Sequence, residues 1–276
     1  MVQAYVDESG GKGHSAVFVF SALLAKAEDW AMFSDQWDSC LSEAPSIRYF
    51  KMSEAAGQPS GEFYQFSTTE RDDKLKRLCS IINALAPTEV SRTLDIDVFV
   101  ERWGKHPKPF RDPYFFPFLT ANFAIGVQVL EMKETEPCEI FFDEHKIFGP
   151  RAKPWYPIAR EFMDCEVLAL MPAEPLFRTD LQGLPLQAAD LTAWMQRARS
   201  TVGLGKFSWL DSALARIHRS DLSQTYDRAW WNRPNAVDEN DPEFIRQKNA
   251  ALRRGKEIFG SEWPPNIKSR NKKKHD

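Results

Sequence analysis

The sequence predicts an α/β fold, a mixed central sheet flanked by helices, with a helical C-terminal extension. Three observations carry this. Residues 1–10 have a period of two, with Val2, Ala4 and Val6 alternating with Gln3, Tyr5 and Asp7, and the run ends in Asp7-Glu8 and a glycine turn. A second apolar run at 138–143 ends in Asp143-Glu144. Helix-period segments separate these and other strand-like runs, an order that builds a layered α/β domain.

Taken in chain order, the Gly10–Gly13 turn leads into a second strand, His14 to Leu24, the hairpin partner of the first. Trp30, Phe33, Trp37 and Leu41 have helical spacing. Residues 44–69 read as irregular, with an island at Tyr49-Phe-Lys-Met52. Thr68 or Thr69 is the expected cap of a helix that buries Leu75, Leu78, Ile82 and Leu85 and stops before Pro87. In 91–100, Leu94, Ile96, Val98 and Val100 alternate with Thr93, Asp95, Asp97 and Phe99, which predicts a half-exposed antiparallel strand near an edge. Asp112-Pro113 opens a long helix with a stripe of Phe116, Leu119, Phe123, Val127 and Leu130. After the 138–143 strand come a helix near 155–164 and a strand at Glu166–Leu170. Pro185 then starts a helix on which Gln187, Asp190, Leu191 and Trp194 share one face. Beyond Ser200 the chain reads as helical and Trp-rich, and Asn235–Pro242 as an acidic linker. The expected organisation is a domain at 1–200, a helical extension at 201–235, and a linker, short helix and basic tail at 236–276.

Composition narrows the class. Hydrophobic residues make up 43% and aromatics 13% of 276 residues, which excludes a disordered chain. No apolar run approaches the ~20 residues of a membrane span. Four cysteines lie far apart without a Cys-x-x-Cys pair, so reduced thiols and a cytoplasmic location are expected. The net charge is −3, but residues 243–276 hold ten Lys/Arg against four Asp/Glu, a net +6, which leaves −9 on the rest. A basic tail on an acidic body suits a nucleic-acid partner; a solvated terminus is the plain alternative.

The chemistry-bearing residues are acids. Asp7 and Asp143 end strands, and Asp190 lies on a helix. Such a carboxylate set is what phosphodiester hydrolysis with two metal ions ~3.5–4 Å apart requires. Mg²⁺ takes oxygen ligands and keeps several waters, so few carboxylates suffice. Glu8 and Glu144 point to the opposite face by alternation and are secondary candidates. Plain readings compete: Asp7 and Asp143 as turn residues, Asp190 as an exposed helix acid, and Asp95 with Asp97 as solvent-facing strand acids or a rival pair. Asp180, just before the closing helix, is a candidate fourth ligand. Gln187 is expected to orient a water or a phosphate, or else to sit in a polar pocket. Lys51, Lys146, Arg151 and Lys153 are candidate phosphate contacts, and His145 is a candidate proton donor. A stem covering aromatic surface is the plain reading of Lys51, and loop exposure is the default for the others and for His14.

The Tyr5-x-Asp7-Glu8-Ser9-Gly10 start, the Phe142-Asp143-Glu144 middle and the Leu186-Gln187-Ala188-Ala189-Asp190-Leu191 end, in that order, resemble the domain-of-unknown-function (DUF) family 3800. That family is assigned to the ribonuclease H-like superfamily of metal-dependent nucleases, and the resemblance spans residues 1–200. It implies a ribonuclease H-like sheet in which the first strand lies beside the fourth, bringing Asp7 and Asp143 together. It also implies that Asp7 bridges two Mg²⁺ or Mn²⁺ ions while Asp143 and Asp190 each hold one from the side. The implied reaction is metal-dependent hydrolysis of DNA or RNA leaving a 3′-hydroxyl and a 5′-phosphate, in the setting of defence against phages or mobile elements. A non-catalytic nucleic-acid- or protein-binding module and a small-nucleotide phosphohydrolase remain open readings of the same residues.

Overall fold

Strand β1, Val2–Gly10, pairs antiparallel with β2, Val17–Lys26, in an unbroken register from Val2↔Lys26 to Gly10↔Phe18. The computed structural model describes residues 1–11, 15–57, 61–144, 149–233, 238 and 240–260. Gly10 closes β1 at φ +92°, and a Cβ there would sit 2.3 Å from the Val17 carbonyl oxygen, so the glycine of the Asp-Glu-Ser-Gly motif is a steric requirement. Helix α1, Ala27–Ser42, follows, then a short α2, Met52–Ala56, and α3, Thr68–Leu85. Strand β3, Thr88–Asp95, runs antiparallel to β2 and leads into α4, Ile96–Trp103, and α5, Phe115–Glu131. Strand β4, Glu139–Asp143, returns to the centre of the sheet, parallel to β1. Next come α6, Gly149–Arg160, α7, Cys165–Leu170, and the three-residue β5, Leu176–Arg178, parallel to β4.

The sheet order is therefore β5-β4-β1-β2-β3, with the first and fourth strands adjacent. The sheet is mixed, and this adjacency is the one the resemblance implies. Helix α8, Leu184–Arg199, packs across β1 and β2. The extension carries the short helices α9, Leu210–Ala213, and α10, Arg228–Trp231, and also adds β6, His218–Arg219, and β7, Gln224–Tyr226, both paired with β3. Helix α11, Pro242–Phe259, lies against α6. No helix among the described residues is long and apolar enough to cross a membrane.

Strand alternation divides the core in two. Val2, Ala4 and Val6 of β1, with Ile140 and Phe142 of β4, face the side covered by α5, α6 and α7. Tyr5 faces the side covered by α1, α3 and α8, where its ring stacks on Phe141 at 4.7 Å. Position 7 follows position 5 on that second face, and position 143 follows 141.

Four expectations are corrected. The cap of α3 is Ser67: its hydroxyl accepts from Glu70 N–H while Glu70 accepts from Ser67 N–H. The strand expected over 91–100 lies at 88–95 and is buried between β2 and the β6/β7 edge. It ends where Asp95 accepts from Val98 N–H and caps α4. Asp112 does not cap α5, which begins at Phe115; Phe116 is buried and Leu119, Phe123 and Val127 pack against the core, but the deepest positions are Phe115, Phe118, Ile125 and Val129, with Leu130 at the surface. Glu166–Leu170 falls in a helix, because a short apolar run has no decisive period.

Helices α5 and α7 approach closely at Gly126, where a Cβ would lie 2.5 Å from Val167 Cγ1 and 3.0 Å from Met171 Sδ. Gly126→Ala should therefore destabilise the fold by roughly 1–3 kcal/mol through overpacking, although alanine gains about 1 kcal/mol in intrinsic helix propensity. The denaturant midpoint measures this, and a raised midpoint would refute so close an approach.

Candidate functional site

The β1–β4 pairing brings two acids side by side. Val6 pairs with Phe142, so Asp7 and Asp143 each stand one residue further on, on the face of Tyr5 and Phe141. Asp7 is 3% exposed. Its Oδ1 accepts the Glu8 N–H at 2.7 Å, and its Oδ2 is buried with no hydrogen-bond partner among the described residues.

Helix α8 brings the third acid and a tether. Gln187 is fully enclosed. Its Oε1 accepts from Trp37 Nε1–H at 2.8 Å and from Phe50 N–H at 2.9 Å, and its Nε2 donates to the Asp180 carbonyl at 2.8 Å. One turn later, Asp190 Oδ2 accepts the Met52 N–H at 2.6 Å. Two polar residues of α8 thus grip the backbone on both sides of Lys51, which is extended (φ −136°, ψ 122°). Phe50 is locked beneath, edge-on to Trp37 and Phe63.

This grip delivers the Lys51 ammonium into the acids. Its Nζ lies 2.8 Å from Asp180 Oδ2, 3.4 Å from Asp143 Oδ2 and 3.9 Å from Asp190 Oδ1. Asp180 stands two residues beyond Arg178, the β5 partner of Asp143. Its Oδ1 is a second buried carboxylate oxygen without a partner among the described residues.

Electrostatics tie the group together. Burial pushes the Asp7 carboxyl well above the ordinary carboxylate range; Asp190 and Glu8 push it further and Lys51 opposes them. Burial and the nearby Asp143 push Glu8 up to about 8. Burial raises Asp190 to about 6 against the pull of Lys51 and the Met52 N–H, and raises Asp180 as well. Burial alone would lower Lys51, but Asp7, Asp190, Asp180 and Asp143 outweigh it and hold the ammonium charged.

Other expected site residues fall as follows. Glu8 continues the regular β1 register opposite Phe20, so no bulge turns it, yet it shares the field of Asp143, Lys51 and Asp190. Glu144 is exposed, and its N–H donates to the Arg178 carbonyl. Asp95 caps α4 and Asp97 is exposed in that helix's first turn, so neither joins the cluster. Gln187 spends its amide within the fold, the polar-pocket alternative of the two readings. Lys51 meets carboxylates instead of covering aromatic surface. Lys153 lies 5.3 Å over the Phe177 ring. His14, His145, Lys146, the Arg151 side chain and the tail at 264–276 lie outside the described residues.

Two outcomes follow from this geometry. Gln187→Leu removes the partners of Trp37 Nε1–H, Phe50 N–H and the Asp180 carbonyl at an enclosed position. It should lower stability by roughly 3 kcal/mol or more in chemical denaturation, with each of the three orphaned groups costing about 1–3 kcal/mol; a loss within 0.5 kcal/mol would rule out the tether. The second outcome concerns pH. Acids whose folded pKa is raised stabilise the fold fully below their unfolded values and lose that contribution as pH rises through the folded ones. Without metal, the cluster's contribution should thus decline from about pH 4 to about pH 8, as Asp190 titrates near 6 and Glu8 near 8. Lys51 stays charged throughout this window. Asp190→Asn keeps an acceptor for Met52 and should melt with a shallower decline than wild type over this range; a steeper decline would contradict the assigned sign.

No protein-family model matches this chain, and no curated protein matches it. Among solved structures, the chain is similar to the ribonuclease H2 from Pyrococcus horikoshii OT3, at 13% identity over 76% of this chain and 79% of that one, with a TM-score of 0.37. It is also similar to the ribonuclease HII in the PCNA:RNase HII complex from Archaeoglobus fulgidus, at 12% identity over 100% of this chain and 98% of that one, with a TM-score of 0.38.

Proposed function

We propose that this protein is a Mg²⁺- or Mn²⁺-dependent nuclease that hydrolyses nucleic-acid phosphodiesters at the Asp7, Asp143, Asp190 cluster. The observation that carries this is the buried Asp7 carboxylate, whose Oδ2 has no partner among the described residues, in the field of Asp190, Glu8, Asp143 and Lys51, with Asp180 joined to them through Lys51. Five carboxylates against one ammonium leave a charge of −4 when all are ionised. A buried surplus of this kind calls for hard cations, and hard cations take oxygen donors of this type. Among the described residues no three His, Cys, Asp or Glu side chains already stand in an ion-holding array. The donors of the cluster are nevertheless of the right chemistry, and one oxygen each of Asp7 and Asp180 is unclaimed among the described residues.

Asp7, Asp143 and Asp190 would hold the ions, with Asp180 as a fourth donor. When bound, the ions activate the attacking water and stabilise the leaving oxygen of an in-line displacement. The chain's residues do the rest. Gln187 fixes α8 against residues 50–52, so Asp190 cannot swing away. Glu8, held up to about 8, is placed to accept or return a proton at the edge of the cluster. The P–O3′ bond breaks, and water supplies the new phosphate oxygen and the proton of the 3′-hydroxyl.

A second reading, a non-catalytic nucleic-acid- or protein-binding module, is favoured by one observation: the cluster is already served by Lys51. Incubation with Mn²⁺ and labelled single- and double-stranded DNA, RNA and hybrid separates the two. Cleavage is expected in the wild type, with losses of at least the order of 10²-fold, the scale of one lost transition-state charge partner, in Asp7→Asn, Asp143→Asn and Asp190→Asn. Mn²⁺ should raise the wild-type melting temperature by mass action and leave Asp7→Asn nearly unmoved. Polymer binding should weaken steeply with salt, whereas a mononucleotide should respond little. Absence of both cleavage and a Mn²⁺ melting shift would overturn the nuclease assignment.

A further inference from the structure

The acid cluster contains a cation of its own, and that cation is built in. The Lys51 stem is 24% exposed, and its neighbours in the chain are tied down by the Gln187 and Asp190 hydrogen bonds to Phe50 N–H and Met52 N–H. Its ammonium contacts one oxygen each of Asp180, Asp143 and Asp190. A divalent ion entering the cluster needs carboxylate oxygens from the same set. Ammonium and ion compete for them, because two cations at contact distance repel and each draws on the same carboxylate lone pairs.

We propose that Lys51 is an internal competitor for metal: its ammonium neutralises the cluster in the metal-free protein, and divalent ions bind only by displacing it. This rests on the reading of the cluster as a metal site. Three features of the structure favour competition over cooperation between Lys51 and the ions. The ammonium meets three of the acids at once, at 2.8 Å to Asp180, 3.4 Å to Asp143 and 3.9 Å to Asp190. Among the described residues, Asp180 Oδ1 has no partner although its Oδ2 meets the ammonium, and Asp7 Oδ2, in the field of the same lysine, has none either, so part of the donor set is idle while the ammonium holds the rest. The lysine is also long and flexible beyond its pinned backbone, so its head can swing out without undoing the Gln187 tether.

The test is Mn²⁺ binding to the full chain, followed by electron paramagnetic resonance of free Mn²⁺ and by thermal melts with and without Mn²⁺. The proteins are wild type, Lys51→Met, Lys51→Arg and Asp7→Asn. Lys51→Met keeps the apolar stem and removes the charge. It should bind Mn²⁺ at least about tenfold more tightly than wild type, within the usual range of coupling between two sites. It should melt lower than wild type without metal and gain more on Mn²⁺ addition. Lys51→Arg keeps the charge and should bind Mn²⁺ no more tightly than wild type. Lys51→Gln, with a neutral polar head, repeats the charge removal should the methionine variant not fold. Equal or weaker Mn²⁺ binding by the charge-removed variants, with wild-type binding abolished in Asp7→Asn, overturns the competition and leaves the metal site standing. No Mn²⁺ binding by any of the proteins overturns the metal site and the competition together.

Discussion

The grip of α8 on residues 50–52 is the contact on which the candidate site depends. The sheet by itself brings only Asp7 and Asp143 together, through the parallel pairing of β1 with β4. Asp190 comes from a helix laid across those strands, and Lys51 from an otherwise irregular segment. What joins these is a pair of hydrogen bonds one helical turn apart, from Phe50 N–H to Gln187 and from Met52 N–H to Asp190. A side chain that ties down backbone in a water-free position is costly to lose, since the groups it served keep no alternative partner. Gln187 serves three such groups, so the helix, the segment carrying Lys51 and the Asp180 turn behave as one unit.

The same helix carries a polar seam across the sheet. Asp190 lies in the field of Asp7 on β1. Thr192 shares a 2.8 Å hydrogen bond with Ser21 on β2, and Gln196 donates to both carboxylate oxygens of Glu89 on β3. Glu89 is 2% exposed and also accepts from Ser21 Oγ. Successive polar residues of α8 therefore meet successive strands, which fixes how far the helix can slide along the sheet. A helix buried nearly all round, with Leu186, Ala188, Leu191 and Met195 in the core, has few other features to define its position.

Much of this was legible in the sequence, and the exceptions have physical causes. The alternation of β1, the α1 stripe of Trp30, Phe33, Trp37 and Leu41, and the Pro185 start of α8 each declared their elements, because local period and burial agree there. The stretch 91–100 misled because Asp95 works as a helix cap while its neighbours happen to alternate. The adjacent Val98 and Phe99, both buried, fit a helix and not a one-faced strand. Asp180 was harder to rank because β5 has only three residues, too few to show a period or a strand end. Lys51 and Gln187 were found as polar residues, but their work is tertiary: no spacing in the chain reveals that the backbone beside position 51 is held from position 187.

A buried group of acids has three ways to shed charge: protonation, an internal cation, or bound metal. The fold uses the first two together. Asp7, the most enclosed acid of the strand pair, is driven toward its protonated form, and Lys51 balances the acids that remain ionised. Neither device satisfies the cluster fully, since one buried oxygen each of Asp7 and Asp180 has no partner among the described residues. Residual dissatisfaction of this kind is unfavourable for stability, and such strain is concentrated where function needs it. On the proposed reading, metal entry would release protons from the raised acids and free the ammonium in the same event, which would make proton, lysine and ion alternative occupants of one charge site. A nucleic-acid phosphate arriving at that site would meet the displaced ammonium, which gives the lysine a use in either state.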